Sequence, residues 1–246
     1  MRNFSLLILT FLLSCNSNQE TKEQTSEVDN TEIEISNSKS VPIVENSTDN
    51  SNTEILETYI DSLKIGEKGN CKIELIKHRV NEENFIIIKF YRKGQKTWYI
   101  QNTYSYETNA LMEFQPDISD FNNDNFNDIT FISGSAARGA NEIRRLFIYD
   151  NKNQELISIV NSQNFPNMQY NKELKCIDAF SFTGGTSTHF ARIKGDSLIE
   201  FARVNCDNNR TVYEIDKFGK QKLIRKDTIL NFDNIIRYKN YKPLKE

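Results

Sequence analysis

The strongest constraint on the fold of this chain is a two-residue hydrophobic period that recurs in short segments from residue 71 onward. The segment Cys71–Val80 alternates through Ile73 and Leu75, and residues 84–91 contain three consecutive isoleucines. Successive side chains of a strand point to opposite faces, so this period predicts β-strands rather than helices. Further candidate strands of this kind cover residues 97–106, 127–133, 143–150, 155–161, 173–182, 188–194, 197–204, 210–216 and 222–230.

Turn residues separate these segments. Gly195-Asp196 joins two alternating segments and predicts a two-residue hairpin, and similar signals occur at Lys93-Gly94, at residues 150–153 and at Phe218-Gly219. Short strands joined in this way predict an all-β antiparallel meander: a sandwich, an open barrel or a small propeller-like stack. We also expect one short N-terminal helix over residues 53–65, where apolar residues follow a helical spacing (Ile55, Leu56, Tyr59, Ile60, Leu63).

The N-terminus has the organisation of an export signal. Arg2 precedes an apolar run from Phe4 to Leu13, which is followed by Ser14 and Cys15. The run is about half of the ~20 residues that a membrane-spanning helix needs. Residues 12–15 resemble the lipobox of bacterial lipoproteins, which implies cleavage before Cys15 and lipid on its thiol. We therefore expect a signal peptide at residues 1–14 and a membrane-anchored lipoprotein in the periplasm or on the cell surface.

Residues 15–55 differ in composition from the rest of the chain. They are rich in Asn, Ser, Thr and Glu, and residues 16–55 carry a net charge of −7, whereas residues 56–246 carry +3. A segment this polar cannot bury enough apolar surface to offset its chain entropy, which predicts a disordered acidic tether. The remaining residues, 56–246, have an ordinary size for one domain, and +3 does not indicate nucleic-acid binding.

Three cysteines follow the predicted lipidation site: Cys71, Cys176 and Cys206. An exported protein can form disulfides, and Cys176 and Cys206 are the favoured pair because they flank one run of strands. Three reduced cysteines are an equally good interpretation.

Residues 120–128 contain the sharpest motif. Asp120, Asn122, Asp124 and Asp128 occupy positions 1, 3, 5 and 9 of a loop, and the carbonyl of Phe126 falls at position 7. Calcium prefers six to eight oxygen ligands, and this spacing wraps a chain around one ion. Position 12 is Phe131 rather than the bidentate Glu of an EF-hand. The loop resembles the shorter one of FG-GAP repeats, which leads directly into a strand. A Ca²⁺ ion with a structural role is therefore predicted, with a polar turn as the alternative.

Together with the export signal and the segment 144–150, this loop resembles those of small exported bacterial β proteins similar to invertebrate-type lysozyme inhibitors. Some of these are immunity proteins against peptidoglycan-cleaving effectors. The resemblance implies a partner-binding loop after the calcium-loop strand, where residues 133–139 offer Ser133, Ser135 and Arg138. The expected aromatic residue behind the serine is absent.

Other functions have weaker support in the sequence. His189 follows a Gly/Ser/Thr-rich segment, but a catalytic triad needs a base held against both a serine and an acid, and the sequence fixes neither. Trp98, Tyr99, Tyr104 and Tyr106 favour core and cross-strand contacts over a sugar-stacking platform. We therefore expect no enzymatic activity. The leading hypothesis is a calcium-stabilised β domain that binds a protein partner at the envelope, with inhibition of a peptidoglycan-cleaving enzyme as its specific form. The alternative is a glycan- or matrix-binding module.

Overall fold

A computed structural model describes residues 53–108, 112–228 and 235–246. The signal peptide, Cys15 and nearly all of the predicted tether lie outside these residues. The described residues form three consecutive antiparallel meanders, in which neighbouring strands follow each other in sequence. Sheet I contains the first four strands, sheet II the next four and sheet III the following six, and two short strands form a separate C-terminal hairpin.

The bounds of the strands agree with the predicted segments to within a few residues. Sheet I contains, in order, strands β1–β4: Thr53–Asp61, Cys71–Val80, Glu83–Lys93 and Trp98–Glu107. Sheet II contains β5–β8: Asp117–Ser119, Asp128–Ala136, Asn141–Asp150 and Glu155–Ser158. Sheet III contains β9–β14: Gln169–Asn171, Cys176–Phe182, Thr186–Lys194, Ser197–Cys206, Asn209–Ile215 and Gln221–Thr228. The C-terminal hairpin pairs β15, Asn240–Tyr241, with β16, Leu244–Lys245. The strands that the sequence reasoning missed are β5, β9, β15 and β16, each of two or three residues, and β1.

The three sheets pack face to face, with sheet II in the middle. Strand β7 shows this directly, because Phe147 and Tyr149 belong to the core shared with sheet I. Leu146 and Ile148, on the opposite face, belong to the core shared with sheet III. The other face of sheet III packs against the C-terminal segment through a third core that includes Tyr238. Of the predicted arrangements, the observed one is an open stack of antiparallel sheets without a closed barrel.

The predicted N-terminal helix is wrong, because residues 53–61 form strand β1. This strand pairs along β2, with a bulge between Ile55 and Glu57 that shifts the register by one residue. The bulge interrupts the two-residue period at Leu56, and Ile55, Ile60 and Leu63 are exposed, so the helix-like spacing does not mark a buried helical face. No helix of seven or more residues occurs in the described ranges, where the helical elements are the 3-10 turns Ala137–Gly139 and Ser162–Asn164. None of the described helices could span a membrane.

The favoured disulfide is also wrong, because Cys71, Cys176 and Cys206 are all free thiols. Cys206 aligns with Thr186 on β11, and Thr186 in turn aligns with Phe182 at the far end of β10. Cys176 lies six residues before Phe182, so the two cysteines are about 20 Å apart along the sheet. A disulfide requires Cα atoms within about 7 Å.

Candidate functional site

The predicted calcium loop connects β5 to β6 and closes around the carboxylate of Asp120. One oxygen of this carboxylate, Oδ1, accepts the backbone N–H groups of residues 122, 123 and 124. The other, Oδ2, accepts the N–H of Asn125 at 2.8 Å. Asn123 and Asn125 have positive φ angles of 63° and 73°, a conformation that Asn tolerates better than most residues. The chain therefore makes the tight loop that the sequence predicted, with asparagine in place of glycine.

Asp124 and Asn122 complete the exposed side of this loop. The Oδ1 atom of Asp124 accepts the N–H of Phe126 at 2.8 Å, and its Oδ2 accepts the amide of Asn122 at 2.9 Å. The side chain of Phe126 packs on the ring of Tyr149, with 5.5 Å between the ring centroids. The C-terminal end of the loop is thus anchored to the core between sheets I and II.

Asp128 differs from the other acids because its carboxylate is fully buried. Its two oxygens accept the backbone N–H groups of Phe121, at 2.8 Å, and of Tyr149, at 2.9 Å. Burial, together with the negative charges of Asp124 and Asp120, raises the pKa of this carboxyl to about 8, and the two backbone hydrogen bonds oppose part of that rise. Asp128 therefore joins the loop to strand β7.

The residues fit calcium in the type and order of their donors. Asp120, Asn122 and Asp124 bring two carboxylates and one amide oxygen together in one tight loop, although the oxygens of Asp120 also accept four backbone N–H groups, and the charges of Asp120 and Asp124 act on Asp128. Asp128 fits less directly, because its carboxylate is fully buried and both of its oxygens accept backbone N–H groups. Within the described ranges, no group of three or more His, Cys, Asp or Glu residues is arranged as a metal site. Calcium binding therefore stays a prediction.

The predicted partner-binding residues lie at the hairpin between β6 and β7. Residues 135–140, here called the β6–β7 tip, are exposed without interruption. Ala137 and Arg138 both have positive φ angles, 50° and 56°, which cost a non-glycine residue about 1–2 kcal/mol each. Ser133 lies below the tip, where its hydroxyl donates to the carbonyl of Ile143. Ser135 and Arg138 are thus presented to solvent, whereas Ser133 is half-buried.

The base of the tip is fixed to sheet III by paired hydrogen bonds. The amide of Asn141 donates to the carbonyl of Phe182 at 3.1 Å, and its oxygen accepts the N–H of the same residue at 2.9 Å. The amide of Asn167 donates to the carbonyls of Ala140, at 3.0 Å, and of Phe180, at 2.8 Å. A strained, exposed turn thus stands on a rigid base.

Three strands of sheet III bring together a chain of polar groups that the sequence reasoning did not find. His189 Nε2 lies 3.0 Å from the hydroxyl of Ser181, and its Nδ1 lies 2.8 Å from Glu200 Oε1. Arg203 donates its Nε to the same carboxylate oxygen at 2.8 Å. A bulge at Phe201 places Glu200 beside His189, because Phe190 pairs with Ala202 while Ala191 pairs with Glu200. No local signal in the sequence indicates this cross-strand arrangement.

The connectivity is that of a catalytic triad, but the surroundings of Ser181 do not support acyl transfer. Ser181 lies in a regular antiparallel strand and is buried. The neighbouring N–H groups of Phe180 and Phe182 donate to Pro166 and to Asn141 respectively. Neither is therefore free to stabilise an oxyanion, which is the main requirement of that chemistry. The chain of hydrogen bonds is better explained as a link between strands β10, β11 and β12.

The aromatic cluster of β4 is divided between the core and the surface. Tyr104 and Tyr106 pack against the first core, and the hydroxyl of Tyr106 lies 2.8 Å from that of Ser158 in sheet II. These two residues therefore make the core contacts that the sequence favoured. Tyr99 is exposed, and Trp98 is half-exposed near Lys72 and Lys93. The four residues do not form one platform.

Comparison with known proteins adds little to this description. No protein-family model matches the chain, and no curated protein matches it. One solved structure with similarity is described as "Structure of a Xanthomonas Type IV Secretion System related protein". It has 10% sequence identity, and the match covers 69% of this chain and 99% of that one with a TM-score of 0.39. A similarity of this size supports no conclusion about function.

Proposed function

We propose that the β domain is a protein-binding module of the cell envelope that inhibits a peptidoglycan-cleaving enzyme through the β6–β7 tip. The observation that carries the proposal is the conformation of the tip. Its six residues are exposed, and two of them hold a strained backbone conformation on a base clamped by Asn141 and Asn167. Backbone strain held in place by surrounding structure is concentrated at binding and catalytic sites.

Arg138 is the residue of the tip with the clearest binding chemistry. It is exposed and makes no hydrogen bond or ion pair with another described residue. Enzymes that cleave glycan chains use a pair of carboxylates in a cleft, and a guanidinium can bind a carboxylate through two parallel hydrogen bonds. The small side chains at positions 135–137 would let the tip enter such a cleft, and Ser135 offers a further hydrogen bond.

A calcium ion bound by Asp120, Asn122, Asp124, the carbonyl of Phe126 and Asp128 would support this function structurally. The loop lies at the start of β6, and the tip begins with the last two residues of the same strand. The ion would neutralise the loop carboxylates and hold the entry into β6 in place. In this proposal the ion stabilises the domain and takes no part in chemistry, and the domain itself is not an enzyme.

The lipid on Cys15 and the acidic tether are part of the same proposal, with the tether shortened to residues 15–52 because residues 53–55 belong to strand β1 rather than to the predicted tether. About 40 residues of flexible chain give a reach of roughly 35 Å. A domain on such a tether stays close to the membrane while it meets enzymes that attack the envelope.

The experiment is a lysis assay with a panel of lysozymes and peptidoglycan-cleaving effectors, in the presence of the purified protein. We expect at least one enzyme to be inhibited, and Arg138→Ala to weaken that inhibition by about 30-fold or more, the effect of losing a central interface arginine. Lys152→Ala is the matched control, because Lys152 is an exposed cation in the turn at the other end of β7.

The Lys152→Ala variant should inhibit as the unchanged protein does, and both variants should melt at the same temperature as that protein. Unaltered lysis by every enzyme of the panel would contradict the proposal. So would an Arg138→Ala variant that inhibits as strongly as the parent.

A further inference from the structure

The outer face of sheet III carries a cleft that none of the functions considered above uses. Its volume is about 650 Å³, within the ~300–1,000 Å³ range of small-molecule sites. It lies between strands β11–β14 and the C-terminal hairpin, and the groups that define its chemistry are Arg192, Phe201, Lys220, Gln221, Lys222 and Tyr241. The cleft therefore combines aromatic rings with cationic and amide groups.

The aromatic part of the cleft is built by the same bulge that positions Glu200. Phe201 is the unpaired residue of that bulge, so it turns to the outer face together with Ala202, while Glu200 faces sheet II. Phe201 and Tyr241 meet edge to face at 5.9 Å, and the ring of Phe190 supports Tyr241 from below at 5.7 Å. The rings give one wall of the cleft a rigid apolar surface.

The charges of the cleft favour an anion. The guanidinium of Arg192 lies 3.9 Å from the centre of the Phe201 ring, so it packs against that wall. Among the described residues, Arg192, Lys220 and Lys222 have no carboxylate partner. Glu214 is paired with Lys242 at 3.1 Å, whereas Asp216 accepts the neutral N–H groups of Phe218 and Lys220 and keeps its charge. The three unpaired cations therefore outnumber the one unpaired carboxylate, and the charge facing the cavity is positive.

We propose that this cleft binds an acidic sugar, a pyranose ring that carries a carboxylate. The flat guanidinium of Arg192 would take the carboxylate through two hydrogen bonds, which a lysine cannot reproduce. The apolar face of the ring would lie on Phe201 and Tyr241. The amide of Gln221 and the remaining lone pairs of Glu214 and Asp216 would take the ring hydroxyls, which an aromatic carboxylate lacks.

The test is titration calorimetry on the whole chain in detergent with three probes: N-acetylmuramic acid, N-acetylglucosamine and benzoate. We expect N-acetylmuramic acid to bind at least tenfold more tightly than either of the others. The neutral sugar lacks the carboxylate, and benzoate lacks the hydroxyls. Equal binding of benzoate would overturn the assignment to a sugar, and equal binding of N-acetylglucosamine would overturn the role of the positive charge.

Two variants locate the binding in the cleft. Arg192→Gln and Tyr241→Ala should each weaken the binding of N-acetylmuramic acid by tenfold or more, whereas Lys152→Gln should leave it unchanged. Arg192→Lys keeps the positive charge but lacks the planar guanidinium, so its affinity for N-acetylmuramic acid should lie between those of Arg192→Gln and the parent. Binding that is unaffected by Arg192→Gln, or no binding by the parent, would overturn the proposal.

This proposal stands apart from enzyme inhibition. The Arg138→Ala variant should bind N-acetylmuramic acid as the parent does, and Arg192→Gln should inhibit lysis as the parent does. Failure of one proposal therefore leaves the other intact.

Discussion

At the scale of single residues, the same residue type has different tasks according to its position in the stack of sheets. Asp124 lies on the exposed side of its loop, while Asp128, four residues later, is fully buried and bonded to two backbone N–H groups. The carboxylate of Asp128, at position 9 of the loop, therefore links the loop to strand β7. The two acids can be separated experimentally because only Asp124 is accessible to solvent.

The calcium prediction is tested by Asp124→Ala. If the loop binds calcium, the ion stabilises the parent by about 2.7 kcal/mol at a hundredfold excess over its dissociation constant. For a domain of this size, that corresponds to a rise of about 5–10 °C in the melting temperature. Asp124→Ala should abolish the rise, and differential scanning calorimetry in calcium and in chelator measures it.

The matched control for this variant is Asp150→Ala, which removes a turn aspartate of the β7–β8 hairpin whose Oδ1 accepts the N–H of Lys152 at 2.8 Å. It should keep the full response to calcium. Identical melting of the parent in calcium and in chelator would mean that residues 120–128 form only a polar turn.

Glu200 provides a pH-dependent prediction. Burial alone would raise the pKa of its carboxyl, but the hydrogen bonds from His189 and Arg203 outweigh burial and lower that pKa below the usual value. A carboxyl with a lowered pKa in the folded state stabilises the fold above the unfolded pKa of about 4.3. Its contribution is lost as the pH falls through the lower, folded-state value.

Glu200→Gln should therefore lower the free energy of unfolding by about 1–3 kcal/mol at pH 7, since it removes a charged hydrogen-bond partner from a half-buried network. The difference in the free energy of unfolding between the variant and the parent should become smaller below pH 4. Urea unfolding at pH 7 and below pH 4 measures this difference, with Glu82→Gln in the exposed β2–β3 turn as the control. A gap that stays constant with pH would show that the charge of Glu200 contributes nothing.

At the scale of elements, the loop of residues 120–128 and the β6–β7 tip lie at the two ends of strand β6. Bulges determine to which face of a sheet the side chains point. The bulge at Phe201 turns two consecutive residues, Phe201 and Ala202, to the same face of sheet III while Glu200 keeps the opposite face, which creates both the polar link of His189 and the aromatic wall of the cleft. A further register shift between Ile132 and Gly134 precedes the β6–β7 tip. Bulges redirect side chains in this way without ending a strand.

The strain of the tip is tested by Ala137→Gly and Ala140→Gly, which make the same chemical change at two conformations. Ala137 has a φ of 50° and Ala140 a φ of −70°. Glycine relieves the cost of a positive φ, so Ala137→Gly should be neutral or stabilise the fold by up to about 1 kcal/mol. Ala140→Gly should destabilise it by about 0.5–1 kcal/mol. Thermal melting compares the two, and equal effects would contradict a strained tip.

At the scale of the whole molecule, the middle sheet couples two hydrophobic cores. Leu146 and Phe147 are neighbours on β7 and are both fully buried, yet their side chains enter different cores. Neither sheet I nor sheet III covers both faces of sheet II by itself. The stability of the described fold should therefore depend on both contacts.

Leu146→Ala and Phe147→Ala test this coupling. Truncation should cost about 2–5 kcal/mol for the leucine and about 3–5 kcal/mol for the phenylalanine. Each variant should unfold in one transition at a lower urea concentration than the parent, when both circular dichroism and the fluorescence of Trp98 in sheet I are recorded. Leu146→Ala is the informative case, because it alters only the core with sheet III. If the Trp98 signal keeps the parent midpoint in that variant, sheet I is stable by itself.

The strand class, most strand positions, the hairpin turns and the tight loop at residues 120–125 could be predicted from the amino-acid sequence. These features depend on residues close together in the chain, through the two-residue period and the backbone preferences of Gly and Asn. The strand at residues 53–61, the distance between Cys176 and Cys206, and the contacts of His189 with Ser181 and Glu200 became apparent only in the folded protein. The tertiary structure also placed Arg192 against Phe201. Each of these depends on strand register and on bulges between distant residues, which local patterns do not specify.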